Sequence, residues 1–143
     1  MAREWVSLPS NAKPPAELAA LIAREAKTQG LAVEVLAEKE LRRKNMGALL
    51  AVAAGSSNRP AMVILRHKGG DRRPPVVLVG KGVTFDSGGI NIKTGDSLPD
   101  MKGDMAGGAA VAAALIVAAR LKLKRHLVGV IPLVENMVSG GAS

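Results

Sequence analysis

The chain has 143 residues, 20 Lys+Arg against 12 Asp+Glu for a net charge of +8, no cysteine, one tryptophan and one phenylalanine. That length holds one domain with a core and excludes two full ones, and 48% hydrophobic residues exclude intrinsic disorder. Without cysteine there is no disulfide scaffold, thiolate zinc site or cysteine nucleophile, and two rings are too few for a base-stacking nucleic-acid module.

Charges at Arg3, Glu4, Lys13, Glu17 and Arg24 leave no signal-peptide block, and the longest uncharged run, Met105 to Ala119, is shorter than a membrane helix needs. A cytoplasmic protein with no membrane partner is expected. Pro14-Pro15 open a helix over Ala16 to Gln29, with Leu18, Leu21, Ile22 and Ala26 as its apolar stripe and Gly30 as its cap. Leu31 to Leu36 reads as a strand, Ala37 to Asn45 as a charged helix, and Met46 to Ala54 as an apolar segment of either type. After the loop Gly55 to Pro60, Ala61 to Arg66 is a strand and Lys68 to Pro75 a charged turn. Val76 to Val79 has the continuous apolar character of a strand buried on both faces. A segment with six glycines, Gly80 to Gly103, leads into the alanine-rich helix Ala106 to Leu121 and the strand Leu127 to Val134. This order predicts an α/β fold in three αβα layers around a mixed, mostly parallel sheet.

Open α/β sheets place their sites at the carboxyl ends of strands, which directs attention to the segment after Val79. It carries Lys81, Asp86, Lys93, Asp96, Asp100, Lys102 and Asp104 among glycines. Gly80-Lys81-Gly82-Val83 fails the phosphate-loop pattern in both spacing and the Lys-Ser/Thr pair. A metal site fits better: Asp86 and Asp104 are hard oxygen donors, and Lys81 is a ligand if it sheds its proton. The competing reading is a set of loop charges in ordinary turn hydrogen bonds. His67 and His126 sit in basic clusters and read as surface residues.

GKGVTFDSGG, Ile92-Lys93 and MKGDMAGGAA resemble the leucyl aminopeptidase (cytosol aminopeptidase) family, and LPSN, PAEL, MGALLAVAAGS and GVIPLVENMVSG extend the likeness along the chain. The resemblance implies a hydrolase that releases N-terminal residues, often leucine, from peptide substrates with two divalent ions per subunit, manganese or zinc. It implies that Lys81, Asp86 and Asp104 are metal ligands, with Asp86 bridging both ions. Lys93 is then the catalytic lysine that polarises the scissile carbonyl, and Met101 a wall of the substrate pocket. Family members are typically homohexamers with a separate N-terminal domain. On this reading residues 1–143 are the N-terminal part of the catalytic domain, truncated before an NTDAEGR-type motif that carries further ligands and an arginine. The carboxylate inventory agrees, because Glu135 is the only one after Asp104. Such a fragment is expected to be inactive alone and marginally stable. The alternative, carried by the +8 charge, is a basic α/β module that docks on nucleic acid or another polyanion.

Overall fold

The computed structural model describes residues 1–141. Ala142 and Ser143, the end of the expected domain range 1–143, lie outside the described residues. The elements are α1 (Ala2–Ser7), α2 (Pro15–Thr28), β1 (Ala32–Ala37), α3 (Glu38–Arg43), α4 (Gly47–Ala53), β2 (Ala61–His67), β3 (Val76–Val79), β4 (Gly82–Asp86), a 3-10 turn (Leu98–Gly103), α5 (Ala106–Arg120) and β5 (Leu127–Asn136).

β5 is the spine of the five-stranded sheet. β2 lies antiparallel on one side of it and carries β1, also antiparallel, at the far edge. On the other side β3 and then β4 run parallel to β5, end to end along its length. The expected mixed α/β sheet therefore forms, but its parallel part is confined to the β5 pairings, fewer than "mostly parallel" implied. Side chains alternate about the pleat. Ala61, Val63 and Leu65 of β2 and Ile131 and Leu133 of β5 face a core closed by Trp5, Leu18, Ile22, Ala112, Leu115 and Ile116 from α1, α2 and α5. Met62, Ile64 and Val130 face the other way, against Leu36 of β1 and Leu41, Leu49 and Leu50 of α3 and α4. Three layers result, as expected.

α2 has the predicted stripe and cap: Leu18, Ile22 and Ala26 are buried, and Gly30 turns left-handed at φ +75. Among the described residues one helical stretch, Leu98–Arg120, is long and apolar enough to cross a membrane. Here it is the core helix with the turn before it, packed on the sheet through Ala109, Ala112, Leu115 and Ile116.

Val76 to Val79 departs from expectation. This strand is not buried on both faces: Val77 is 54% exposed and Val79 69%. Leu78 packs into the core beneath α5, but the α3–α4 layer covers the opposite end of the sheet and leaves the other face of β3 bare. β3 also ends a hydrogen-bonded row with an open edge. A bare, apolar strand with one unpaired edge is a template for association. Val77→Lys is expected to raise the concentration at which the chain stays monodisperse in light scattering, with its melting midpoint little changed.

A second unforeseen feature is Lys13, only 1% exposed. Its ammonium donates to the Trp5 carbonyl at 2.8 Å and the Val6 carbonyl at 3.0 Å. These are last-turn carbonyls of α1, which lack partners within their own helix. Burial, reinforced by the charge of Lys102, pushes the Lys13 pKa down to about 8. The unfolded chain keeps this proton to its ordinary value of 10.5, whereas the folded chain releases it near 8. Between those values the unfolded state binds more protons, so stability rises with pH, and below pH 8 the burden of the buried charge is fully present. Urea melts from pH 7 to 10 are expected to show that rise in the parent and a flat profile for Lys13→Met.

Candidate metal centre

The site begins at a fault in the sheet. β3 and β4 keep one register against β5, Val79 opposite Val130 and Gly82 opposite Leu133, yet the ladder breaks at Gly80-Lys81. Gly80 donates to the Val130 carbonyl at 3.0 Å. In this parallel register the N–H that would answer the Gly80 carbonyl belongs to Pro132, which has none. The Lys81 carbonyl points away from β5 in this register and accepts the Gly108 N–H, in the first turn of α5, at 2.7 Å. The approach requires glycine on both sides: a Cβ on Gly80 would lie 2.7 Å from the Gly108 Cα, and one on Gly108 would lie 2.7 Å from Ile131 Cγ2.

That contact seats the start of α5 beside Lys81 and brings Asp104 with it. Lys81 Nζ lies 2.6 Å from Asp104 Oδ2. Five residues on, Asp86 ends β4, and Lys93 Nζ lies 2.6 Å from its Oδ2. Lys93 Nζ also donates to Met101 Sδ at 3.3 Å. Met101 is in the 3-10 turn, and its carbonyl accepts the Asp104 N–H at 3.3 Å. All five residues singled out in the sequence, Lys81, Asp86, Lys93, Met101 and Asp104, thus form one chain of contacts, running from the start of β4 through the 3-10 turn to the end of β4. Asp96 and Asp100 remain exposed. His67 stays apart, its Nε2 2.8 Å from the Leu123 carbonyl.

The two carboxylates differ in kind. Asp86 Oδ1 accepts Asn136 Nδ2 at 2.7 Å and the Gly88 N–H at 3.0 Å. Burial raises the Asp86 carboxyl pKa, but the hydrogen bonds from Lys93, Asn136 and Gly88, with the charge of Lys93, outweigh it and hold the group below the ordinary carboxylate range. Gly88 reaches it through a left-handed turn at φ +92, where a Cβ would also meet the Lys93 backbone nitrogen at 2.8 Å. Asp104 is under-satisfied. Its Oδ2 is buried and receives no hydrogen bond, the Lys81 ammonium being close but poorly aligned. Nor does Asp104 cap the helix it precedes: the N-cap of α5 is Met105, with no side-chain bond.

A buried carboxylate oxygen without a hydrogen bond, beside an amine, is the kind of donor set a cation can use. Among the described residues no cluster of three His, Cys, Asp or Glu that could hold a metal ion exists. Sequence reasoning missed Asn136, which reads as one polar residue at a strand end.

Comparison with known proteins identifies the family. The family model described as the cytosol aminopeptidase family, catalytic domain, matches residues 1–143. The chain belongs to the cytosol aminopeptidase family. It is 48% identical over 143 residues to a probable cytosol aminopeptidase of Rhizobium etli, and 50% identical to one of Methylobacterium radiotolerans. It is 46% identical over 142 residues to one of Xylella fastidiosa. These alignments cover 99% of the chain, which spans only 28–29% of the length of those relatives. Among solved structures, the bottromycin maturation enzyme BotP in complex with Mn superposes with a TM-score of 0.91 at 42% identity, over 99% of this chain and 30% of that one.

The contrast between the two carboxylates is measurable without metal. In urea melts with a chelator, Asp86→Asn is expected to cost about 1–3 kcal/mol because it disturbs charge-assisted hydrogen bonds. Asp104→Asn is expected to cost less, since its Oδ2 accepts no hydrogen bond and the Lys81 it pairs with is largely exposed.

Proposed function

We propose that this chain supplies the first part of a metal-dependent aminopeptidase centre that releases N-terminal residues, leucine among them, from peptides. The observation that carries the reading is the unsatisfied Asp104 Oδ2 beside Lys81, within a contact chain that includes Asp86 and Lys93. Lys81, Asp86 and Asp104 would hold a divalent ion, manganese or zinc, Lys81 as the neutral amine. A pair of such ions, when bound, supplies an activated water and an electrophile for the peptide carbonyl.

This chain's own residues do the rest. Lys93 keeps its proton and offers an ammonium to the carbonyl oxygen as that oxygen gathers negative charge. Its contact with Met101 Sδ places an apolar, flexible wall beside that ammonium, suited to an aliphatic side chain such as leucine. Lys93 now rests on Asp86 Oδ2, so it must leave that oxygen to act on a substrate. The names of the relatives support work in the cytosol. Assembly as a homohexamer belongs to the same reading.

The donor inventory also sets an expectation for activity. Three donors serve one ion, and a second ion would find Asp86 alone. The 143 residues with added manganese or zinc are expected to hydrolyse leucine amide marginally at most, and a chain extended by the rest of the family domain to hydrolyse it well. In the extended chain Lys93→Ala is expected to lower kcat about 10²–10³-fold with KM little changed. Robust turnover by the 143 residues alone, or full activity of the Lys93 variant, would contradict the assignment.

A further inference from the structure

Asp86 is held more firmly than its place at a strand end requires. Oδ1 takes two hydrogen bonds, one from Asn136 and one from the Gly88 backbone, whereas Oδ2 faces only Lys93. Asn136 is itself fixed. Its carbonyl accepts both the N–H of Ser87 at 3.0 Å and the Ser87 hydroxyl at 2.8 Å, so the residues after Asp86 are tied to the end of β5. Gly89 leaves room for the amide, since a Cβ there would come within 2.6 Å of Asn136 Oδ1. The amide orientation follows from chemistry: the group that meets a carboxylate must be the NH₂.

We propose that Asn136 is the positioning residue of the centre: with the Gly88 N–H it occupies Asp86 Oδ1, so that Asp86 meets a divalent cation through Oδ2 alone. The inference rests on the metal-centre reading above and specifies how one of its ligands works. An incoming cation displaces Lys93 from Oδ2, and without Asn136 the carboxylate is free to rotate and offer both oxygens. A ligand held from behind by a hydrogen bond is pre-oriented, and loss of such a partner lowers metal affinity about 10–100-fold.

The test is a manganese titration of the purified chain followed by electron paramagnetic resonance, for the parent, Asn136→Ala, Asn136→Leu and Asp86→Asn. Asn58→Ala serves as a control that loosens the same end of β5 through Glu135 without touching Asp86. Difference infrared spectra of aspartate-labelled protein report whether Asp86 binds through one oxygen or two. The expected result is one-oxygen binding in the parent, with affinity about 10–100-fold weaker and two-oxygen binding in both Asn136 variants. The Asn58 variant should bind like the parent, and Asp86→Asn should bind least. Parental affinity with an unchanged infrared pattern in an Asn136 variant overturns the proposal and leaves the metal-centre reading standing. So does two-oxygen binding in the parent, a result that requires no variant to fold. No manganese binding by the parent, or equal binding by Asp86→Asn, overturns the metal-centre reading itself and this proposal with it.

Discussion

One close contact between strand and helix shapes this end of the sheet: the Lys81 carbonyl accepts the Gly108 N–H at 2.7 Å. Pro132 sits in the central strand, where proline is unusual, and its absent N–H leaves the ladder open opposite Gly80. On the side of the strand away from β5, the Lys81 carbonyl bonds the first turn of α5. Because Gly80, Gly107 and Gly108 carry no side chains, strand and helix approach to contact distance, and Asp104 arrives within 2.6 Å of Lys81.

Two lysine–carboxylate pairs follow from that placement, and they are unequal. Asp86 has three hydrogen-bond donors around it and is stable as it stands. Asp104 has one cation against its buried Oδ2, the Lys81 ammonium, in an ion pair without a hydrogen bond. Folded chains rarely leave a buried carboxylate oxygen unmet unless something else is meant to meet it. Elsewhere the excess positive charge is partly matched on the surface, where Arg42 and Arg59 pair with Glu38, Arg66 with Glu34, and Arg73 and Arg125 with Asp71. Those pairings favour solvated faces over a polyanion-binding surface for these clusters.

Local patterns in the sequence located α2, β2, α5 and β5 to within a few residues, because each carries its own period and its own end signals. Strand direction was not legible: nothing in Ala61 to Arg66 or Leu127 to Val134 says that the two run antiparallel. The exposure of Val77 and Val79 was not legible either, since an unbroken apolar run looks the same beneath one helix layer as between two. β4 was hidden in a segment whose glycines suggested loop throughout. The five candidate site residues were found through a motif, and the structure joins them through contacts that span the 3-10 turn. Lys13 and Asn136 escaped notice because their partners, α1 carbonyls in one case and a side chain 50 residues away in the other, exist only once the chain has folded.

The central claim is that Lys81, Asp86 and Asp104 surround a place for a divalent cation. Manganese broadens the NMR signals of nuclei near it, so side-chain spectra recorded during a manganese titration test the claim most directly. The account predicts early, selective loss of the Lys81, Asp86 and Asp104 signals, with Lys93 and Met101 next and Lys13 and Asp71 unaffected. Broadening centred on other carboxylates, or none at these three, would contradict it.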